Sequence, residues 1–267
     1  MSSAPQILVF DSGLGGLTVF REIVKARPDA AYTYVADDAF FPYGHHSEDE
    51  IIGRVVPLVG ELIDRYTPDV VVIACNTAST LVMPHLRAAY ATPFVGTVPA
   101  IKPACAVSKS RRVSVLGTKG TVRREYTQGL IRDFAGDCEV TLVGAAHLPA
   151  LAEAVLNGDM VSDAAIASEV APCFRDGEAR TDTVVLACTH FPLVLDRLER
   201  LAPWPVDWID PAPAIARRTA DLLARSLGAA MTATPASPAR FQFTSGAAPS
   251  PTLARALGPL FAQDAFA

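Results

Sequence analysis

A parallel α/β fold is what this sequence predicts, on three observations. Apolar runs of strand length alternate with helical stretches along most of the chain. Several of those runs are continuous and β-branched, without a polar residue at every second position, as in strands covered on both faces. One segment also occurs twice: Asp69-Val-Val-Val-Ile-Ala-Cys-Asn-Thr77 returns as Asp182-Thr-Val-Val-Leu-Ala-Cys-Thr-His190, identical at five of nine positions.

The elements follow in order. Strands are predicted over 7–10, 32–36, 70–74, 94–96, 113–117, 140–144, 184–187 and 206–209. Helices are predicted over 17–26, 49–66, 78–89, 122–134, 150–156, 162–174 and 193–201, where the apolar period lengthens from two residues to between three and four. Asp210-Pro211 reads as the cap and first turn of a further helix, 214–227. Such alternation gives an α/β sandwich with right-handed crossovers. Residues 228–240, rich in Ala, Pro, Ser and Thr, read as a loop or linker. A strand at 241–244 and a helix at 252–261 are too little to fold alone, so they are expected to extend a domain already formed.

Composition narrows the function. The 267 residues are 50% hydrophobic and 19% charged, enough apolar material for a sizeable core. The net charge is −5, against the basic surface of a dedicated nucleic-acid binder. No apolar run reaches the roughly 18 residues of a membrane span. The first residues lack the basic and apolar regions of a signal peptide, so a cytoplasmic protein is expected. Five cysteines, with no Cys-x-x-Cys pair, exclude a thioredoxin motif and the spacing of a structural zinc site. Cys105, Cys138 and Cys173 close no strand of the doubled segment and are expected to be structural.

The chemistry is expected at strand ends. Each copy of the doubled segment is a strand that ends in a cysteine and opens into a helix, and in open α/β sheets ligands bind at that end. A helix N-terminus favours thiolate. An ordinary thiol is only about 3% ionised at pH 7, and lowering its pKa to about 7 takes roughly 2 kcal/mol. His190 is placed to tune Cys188. Asp11, closing the first strand before Ser12-Gly-Leu-Gly-Gly16, is either a helix cap or a proton-handling group. The glycines miss the dinucleotide spacing, because the third would fall at Thr18, yet the turn offers N–H groups to a carboxylate or a phosphate. Asp37 to Ser47, with Pro42-Tyr-Gly44, and Gly117-Thr-Lys-Gly-Thr121 add polar turns at two more strand ends.

Asp11-Ser-Gly-Leu-Gly-Gly-Leu-Thr-Val19, Pro42-Tyr-Gly44, Ala74-Cys-Asn-Thr-Ala-Ser79 and Ala187-Cys-Thr-His-Phe-Pro-Leu193 together resemble the signature segments of the glutamate racemase family. That family lies within the cofactor-independent aspartate/glutamate racemase superfamily. The resemblance runs in order from about residue 7 to 228 and extends to Phe241-Gln-Phe-Thr-Ser-Gly246. It implies two pseudo-symmetric α/β sandwich domains with mostly parallel sheets and an active site in the interdomain cleft. The first domain would be 1–98 plus 209–267, carrying Asp11 and Cys75. The second would be 99–208, carrying Cys188 and His190.

By matching motifs, Cys75 and Cys188 would be the two acid/bases, assisted by Asp11 and His190. Ser12, Tyr43, Gly44, Asn76, Thr77, Thr118, Thr121 and Thr189 would hold substrate with Asp11 and His190, and Asp37 and Glu153 align with further acidic residues. The implied activity is interconversion of L- and D-glutamate for peptidoglycan, with no pyridoxal phosphate, other cofactor or metal. The implied partners are the small-molecule substrate and a second copy of the chain, since members are often homodimers; neither nucleic acid nor membrane is expected. The sequence departs from the family pattern at His46, where many relatives have a basic residue, and at His147, where a cysteine-proline step is usual.

Other readings keep their own marks. Aspartate racemisation would use the same thiols with a smaller pocket. A cysteine hydrolase would use Cys188 with His190, though it would need no twin cysteine. Neither cysteine starts the Cys-x5-Arg of a phosphatase, since position 81 is Leu and position 194 is Val. A binding module would hold glutamate without exchanging its α-proton.

Overall fold

The computed structural model describes residues 4–227 and 239–258. The chain forms two compact units, Met1–Thr97 with Ala212–Ala267, and Val98–Pro211.

The first unit is built on β1 (Gln6–Asp11), β2 (Ala31–Ala36), β3 (Val70–Ile73), β4 (Phe94–Gly96) and β9 (Arg240–Phe243). They form one parallel sheet in the order β4-β3-β1-β2-β9. Its helices are α1 (Leu17–Ala26), α2 (Glu48–Tyr66), α3 (Asn76–Ala89), α10 (Ala212–Leu227) and α11 (Pro251–Leu257). Leu8 and Phe10 of β1 pack with Val55 and Val59 of α2 and Val82 and Leu86 of α3, while Ile7 and Val9, pointing the other way, are equally buried. Burial on both faces explains the unbroken apolar runs. Ser47 starts α2 with a reciprocal cap: its hydroxyl accepts the Glu50 N–H, and the Glu50 carboxylate accepts the Ser47 N–H.

The second unit holds β5 (Arg112–Gly117), β6 (Glu139–Gly144), β7 (Thr183–Ala187) and β8 (Asp207–Ile209), parallel in the order β6-β5-β7-β8. Its helices are α4 (Ile101–Val107), α5 (Lys119–Arg123), α6 (Glu125–Phe134), α7 (Leu148–Asn157), α8 (Asp163–Val170) and α9 (Leu195–Leu201). Leu116, Val184 and Leu186 face a core with α7, α8 and α9, and Val113, Val115 and Val185 face a second core with α4 and α6. The fold class is therefore the expected one, two parallel sheets dressed with helices.

Several elements differ from the sequence reading. Helix α4 is not expected from the sequence. Pro103 sits at its third position, within the first turn, where a missing N–H breaks no helical bond. The expected helix 122–134 is two helices, because Arg124 is extended at φ −69° and ψ 143°. Helix 162–174 stops at Val170, and Pro172 turns the chain through a 3-10 segment, Ala171–Cys173. Strand β8, through which the expected cut at 208 runs, lies wholly in the second unit because it pairs with β7. Most of the 228–240 linker, residues 228–238, and the end of the helix at 252–261, from 259, fall outside the described residues.

Candidate active site

In the first unit, the register Phe10↔Ile73 brings Asp11 and Cys75 out together at the carboxyl edge of the sheet. Cys75 is 5% exposed and caps α3, its sulfur accepting the Ala78 N–H at 3.5 Å. Its thiol also reaches the Ser12 hydroxyl at 3.5 Å. Asp11, fully buried, accepts from the Gly13 N–H at 3.3 Å and from the Gly16 N–H at 2.8 Å. It thus ties down the turn that opens α1, although Gly16 is the capping position. Gly16 admits no side chain: a Cβ there would lie 2.7 Å from the Asp11 Cβ and 2.9 Å from the Tyr34 hydroxyl. The Asn76 amide is buried, and neither its nitrogen nor its oxygen has a partner among the described residues. A buried orphan amide is costly unless a ligand completes it.

Tyr43 and Gly44 lie in a 3-10 turn, Tyr43–His45. Tyr43 is buried in the same cluster as Cys75, and its hydroxyl donates to Asp37 at 2.6 Å. Burial first, then the neighbouring Asp37, Cys75 and Asp11, hold the phenol well above its ordinary pKa. Tyr43 is therefore a donor here and not an ion.

In the second unit, the register Gly117↔Ala187 sets Thr118 and Cys188 on adjacent strand ends. The Thr118 and Thr121 hydroxyls are 3.0 Å apart, Thr118 accepts the Thr121 N–H at 3.1 Å, and Thr127 donates to the Thr121 carbonyl at 2.6 Å. Cys188, Thr189 and His190 are all buried. The Cys188 sulfur lies 3.8 Å from His190 Nδ1, and His190 Nε2 lies 2.8 Å from a Glu153 oxygen on α7. Burial would lower the His190 pKa, but its bonds to Cys188 and Glu153 outweigh that and hold it well above the ordinary value. Cys188 opens into a 3-10 turn, Phe191–Val194, and α9 starts only at Leu195. The doubled segment therefore repeats the strand and the cysteine but not the helix, so His190 stands where a helix terminus stands for Cys75.

The remaining thiols differ in kind. Burial pushes Cys173 up to about 12. Burial, then Cys138, does the same to Cys105. Neither is poised as a thiolate. Among the described residues no group of His, Cys, Asp and Glu is arranged to hold a metal ion, and no helix is long and apolar enough to cross a membrane. Two residues the sequence reading does not single out enter the first unit's polar cluster. Arg54 of α2 and Thr244, just beyond β9, both bond Asp37.

Two parallel sheets, each with a cysteine and small polar donors at its carboxyl edge, fit one class of protein. The Asp/Glu/hydantoin racemase family model matches residues 7–219, and the chain belongs to that family. Among curated relatives, the glutamate racemase of Brucella anthropi is 59% identical over 220 residues, 81% of this chain and 79% of that one. Among solved structures, Escherichia coli glutamate racemase, in complex with L-glutamate and the activator UDP-MurNAc-ala, matches with a TM-score of 0.86 at 42% identity, covering 97% of this chain and 96% of that one. The glutamate racemase isoform RacE1 from Bacillus anthracis matches at 0.81 and 26%, covering 96% and 95%.

Proposed function

We propose that this chain is a glutamate racemase that interconverts L- and D-glutamate with two thiols, one taking the α-proton and the other delivering a different proton to the opposite face. The observation that carries the reading is the pair of buried cysteines at strand ends, Cys75 beside Ser12 and Cys188 beside His190, in a chain so similar to glutamate racemases. Racemisation needs a base on one face of Cα and an acid on the other. Cys75 as thiolate removes the proton from one enantiomer, and Cys188 as thiol delivers a proton to the opposite face. The reverse reaction exchanges the roles. Each turnover leaves the enzyme with its proton on the other sulfur, so two protonation forms alternate.

The other polar groups then have tasks. Hydroxyls of Ser12, Thr77, Thr118, Thr121 and Thr189, the Asn76 amide and the Gly44 N–H hold the substrate's polar groups. Asp11 and His190 assist the two sulfurs. A protonated His190, held by Glu153, stabilises the Cys188 thiolate. D-Glutamate made this way feeds cell-wall peptidoglycan, and the protein acts in the cytoplasm as a homodimer without added cofactor.

The test is incubation with D-glutamate in D2O without cofactor. Loss of optical rotation with deuterium at the α-carbon of the L product is expected, and neither should appear in Cys75→Ala or Cys188→Ala. Full activity in either variant would remove the two-thiol assignment. Faster turnover of aspartate than of glutamate would move the substrate to its shorter homologue.

A further inference from the structure

Asp37 follows β2 and is 0% exposed, and its carboxylate takes no part in the two-thiol chemistry above. One oxygen accepts from the Tyr43 hydroxyl at 2.6 Å and from Arg54 Nε at 3.1 Å. The other accepts from Arg54 Nη2 at 2.6 Å and from the Thr244 hydroxyl at 2.6 Å. These bonds use all of a carboxylate's ordinary acceptor sites. Burial would raise its pKa, but Arg54, Thr244 and Tyr43 together hold it below the usual value. A carboxylate so engaged is a fixed anion and is a poor candidate for moving protons.

What Asp37 holds is Tyr43, and what holds Asp37 comes from the far end of the chain. Strand β9 joins the edge of β2 in the register Phe243↔Ala36, and the Thr244 N–H donates to the Ala36 carbonyl at 3.0 Å. The Thr244 hydroxyl accepts the Ala39 N–H at 3.3 Å while it donates to Asp37. Beside it, the Ser245 N–H donates to Asp38 at 2.9 Å. Residues 36–39 are thus gripped by a segment more than 200 positions away in sequence.

We infer that Arg54, Asp37 and Thr244 are positioning residues for substrate binding: they fix the Tyr43 side chain and the Pro42-Tyr-Gly44 turn, so the C-terminal strand completes the first half-site. This rests on the racemase reading, in which Tyr43 and Gly44 hold glutamate. The fork from Arg54 sets the plane of the carboxylate. Thr244 then decides which way the oxygen shared with Arg54 Nη2 points, and the opposite oxygen orients the phenol.

The test compares Thr244→Val, nearly the same shape without the hydroxyl, with Thr244→Ser, which keeps it. Hydrogen bonds to charged groups support an expected rise in KM of about tenfold for both glutamate enantiomers in Thr244→Val, with kcat changed less. Thr244→Ser should stay within about twofold of the parent on the same energetic grounds. In a Tyr43→Phe background Thr244→Val should add little, because both act through one contact. Hydrogen exchange of the peptide spanning residues 37–46, followed by mass spectrometry, should quicken in Thr244→Val and not in Thr244→Ser. If Thr244→Val fails to fold, Arg54→Lys, which keeps the charge and loses the fork, takes its place with the same expectations.

Unchanged KM in the Val variant, full additivity with Tyr43→Phe, or unchanged exchange would each overturn the inference. Absence of racemisation in the parent protein would instead remove the racemase reading. The exchange comparison would still decide whether Thr244 restrains the turn.

Discussion

In the proposed two-thiol mechanism each sulfur removes a proton only as thiolate, so the residue question is what stabilises each one. The two cysteines are served differently. Cys75 has the first turn of a long helix, through the Ala78 N–H, whereas Cys188 has His190 backed by Glu153. The bonds to Cys188 and Glu153 raise the His190 pKa against the effect of burial. In Glu153→Gln one of those causes is removed, burial gains, and the histidine loses its proton at lower pH. The alkaline limb of kcat/KM for the direction that uses Cys188 as base should therefore move to lower pH. A pH–rate profile in both directions checks this, and an unmoved limb would remove His190 from the role. Both cysteines were legible because the sequence repeats the segment that carries them. Arg54 and Thr244 were not: they meet Asp37 from 17 and 207 residues away, and no spacing rule links such positions.

At the scale of elements, junctions carry the restraint. Asp182, at the mouth of β7, accepts from the Ser108 hydroxyl at 2.6 Å and from the Lys109 and Ser110 N–H groups at 2.7 Å each, pinning the loop between α4 and β5. Burial pushes this carboxyl up, but those bonds and the one from Thr183 outweigh it and lower its pKa to about 2. The unfolded value is about 3.9, so the folded state binds its proton less readily. The stability contributed is complete above the unfolded pKa and is lost as pH falls through the folded one. Urea unfolding of the parent and Asp182→Asn should show a difference that is full near pH 6 and closes towards pH 2. A gap independent of pH would refute this account. Element types were mostly legible from period and β-branching. Ends were not where a proline can be read two ways: Pro103 sits in the first turn of a helix, and Pro172 follows the end of one.

For the whole molecule, chain order matters as much as composition. The second unit is one continuous stretch with its own two cores, and every residue in them lies between 98 and 211. A fragment of residues 98–211 should therefore fold alone and unfold cooperatively in urea. A fragment of residues 1–97 lacks β9 and α10, leaving the β2 edge unpaired and α1 without its helical neighbour, and should not. Circular dichroism and urea titration of both fragments check this, and an unfolded 98–211 fragment would contradict it. The sequence by itself determined the alternation, the parallel strands and the cysteines that end two of them, because periodicity and side-chain chemistry are local properties. Only the tertiary structure decided that β9 joins β2, that Asp37 is saturated by Tyr43, Arg54 and Thr244, and that Glu153 on α7 backs the His190 beside Cys188. Those facts depend on which distant residues become neighbours, and that follows from sheet order and register rather than from any stretch read alone.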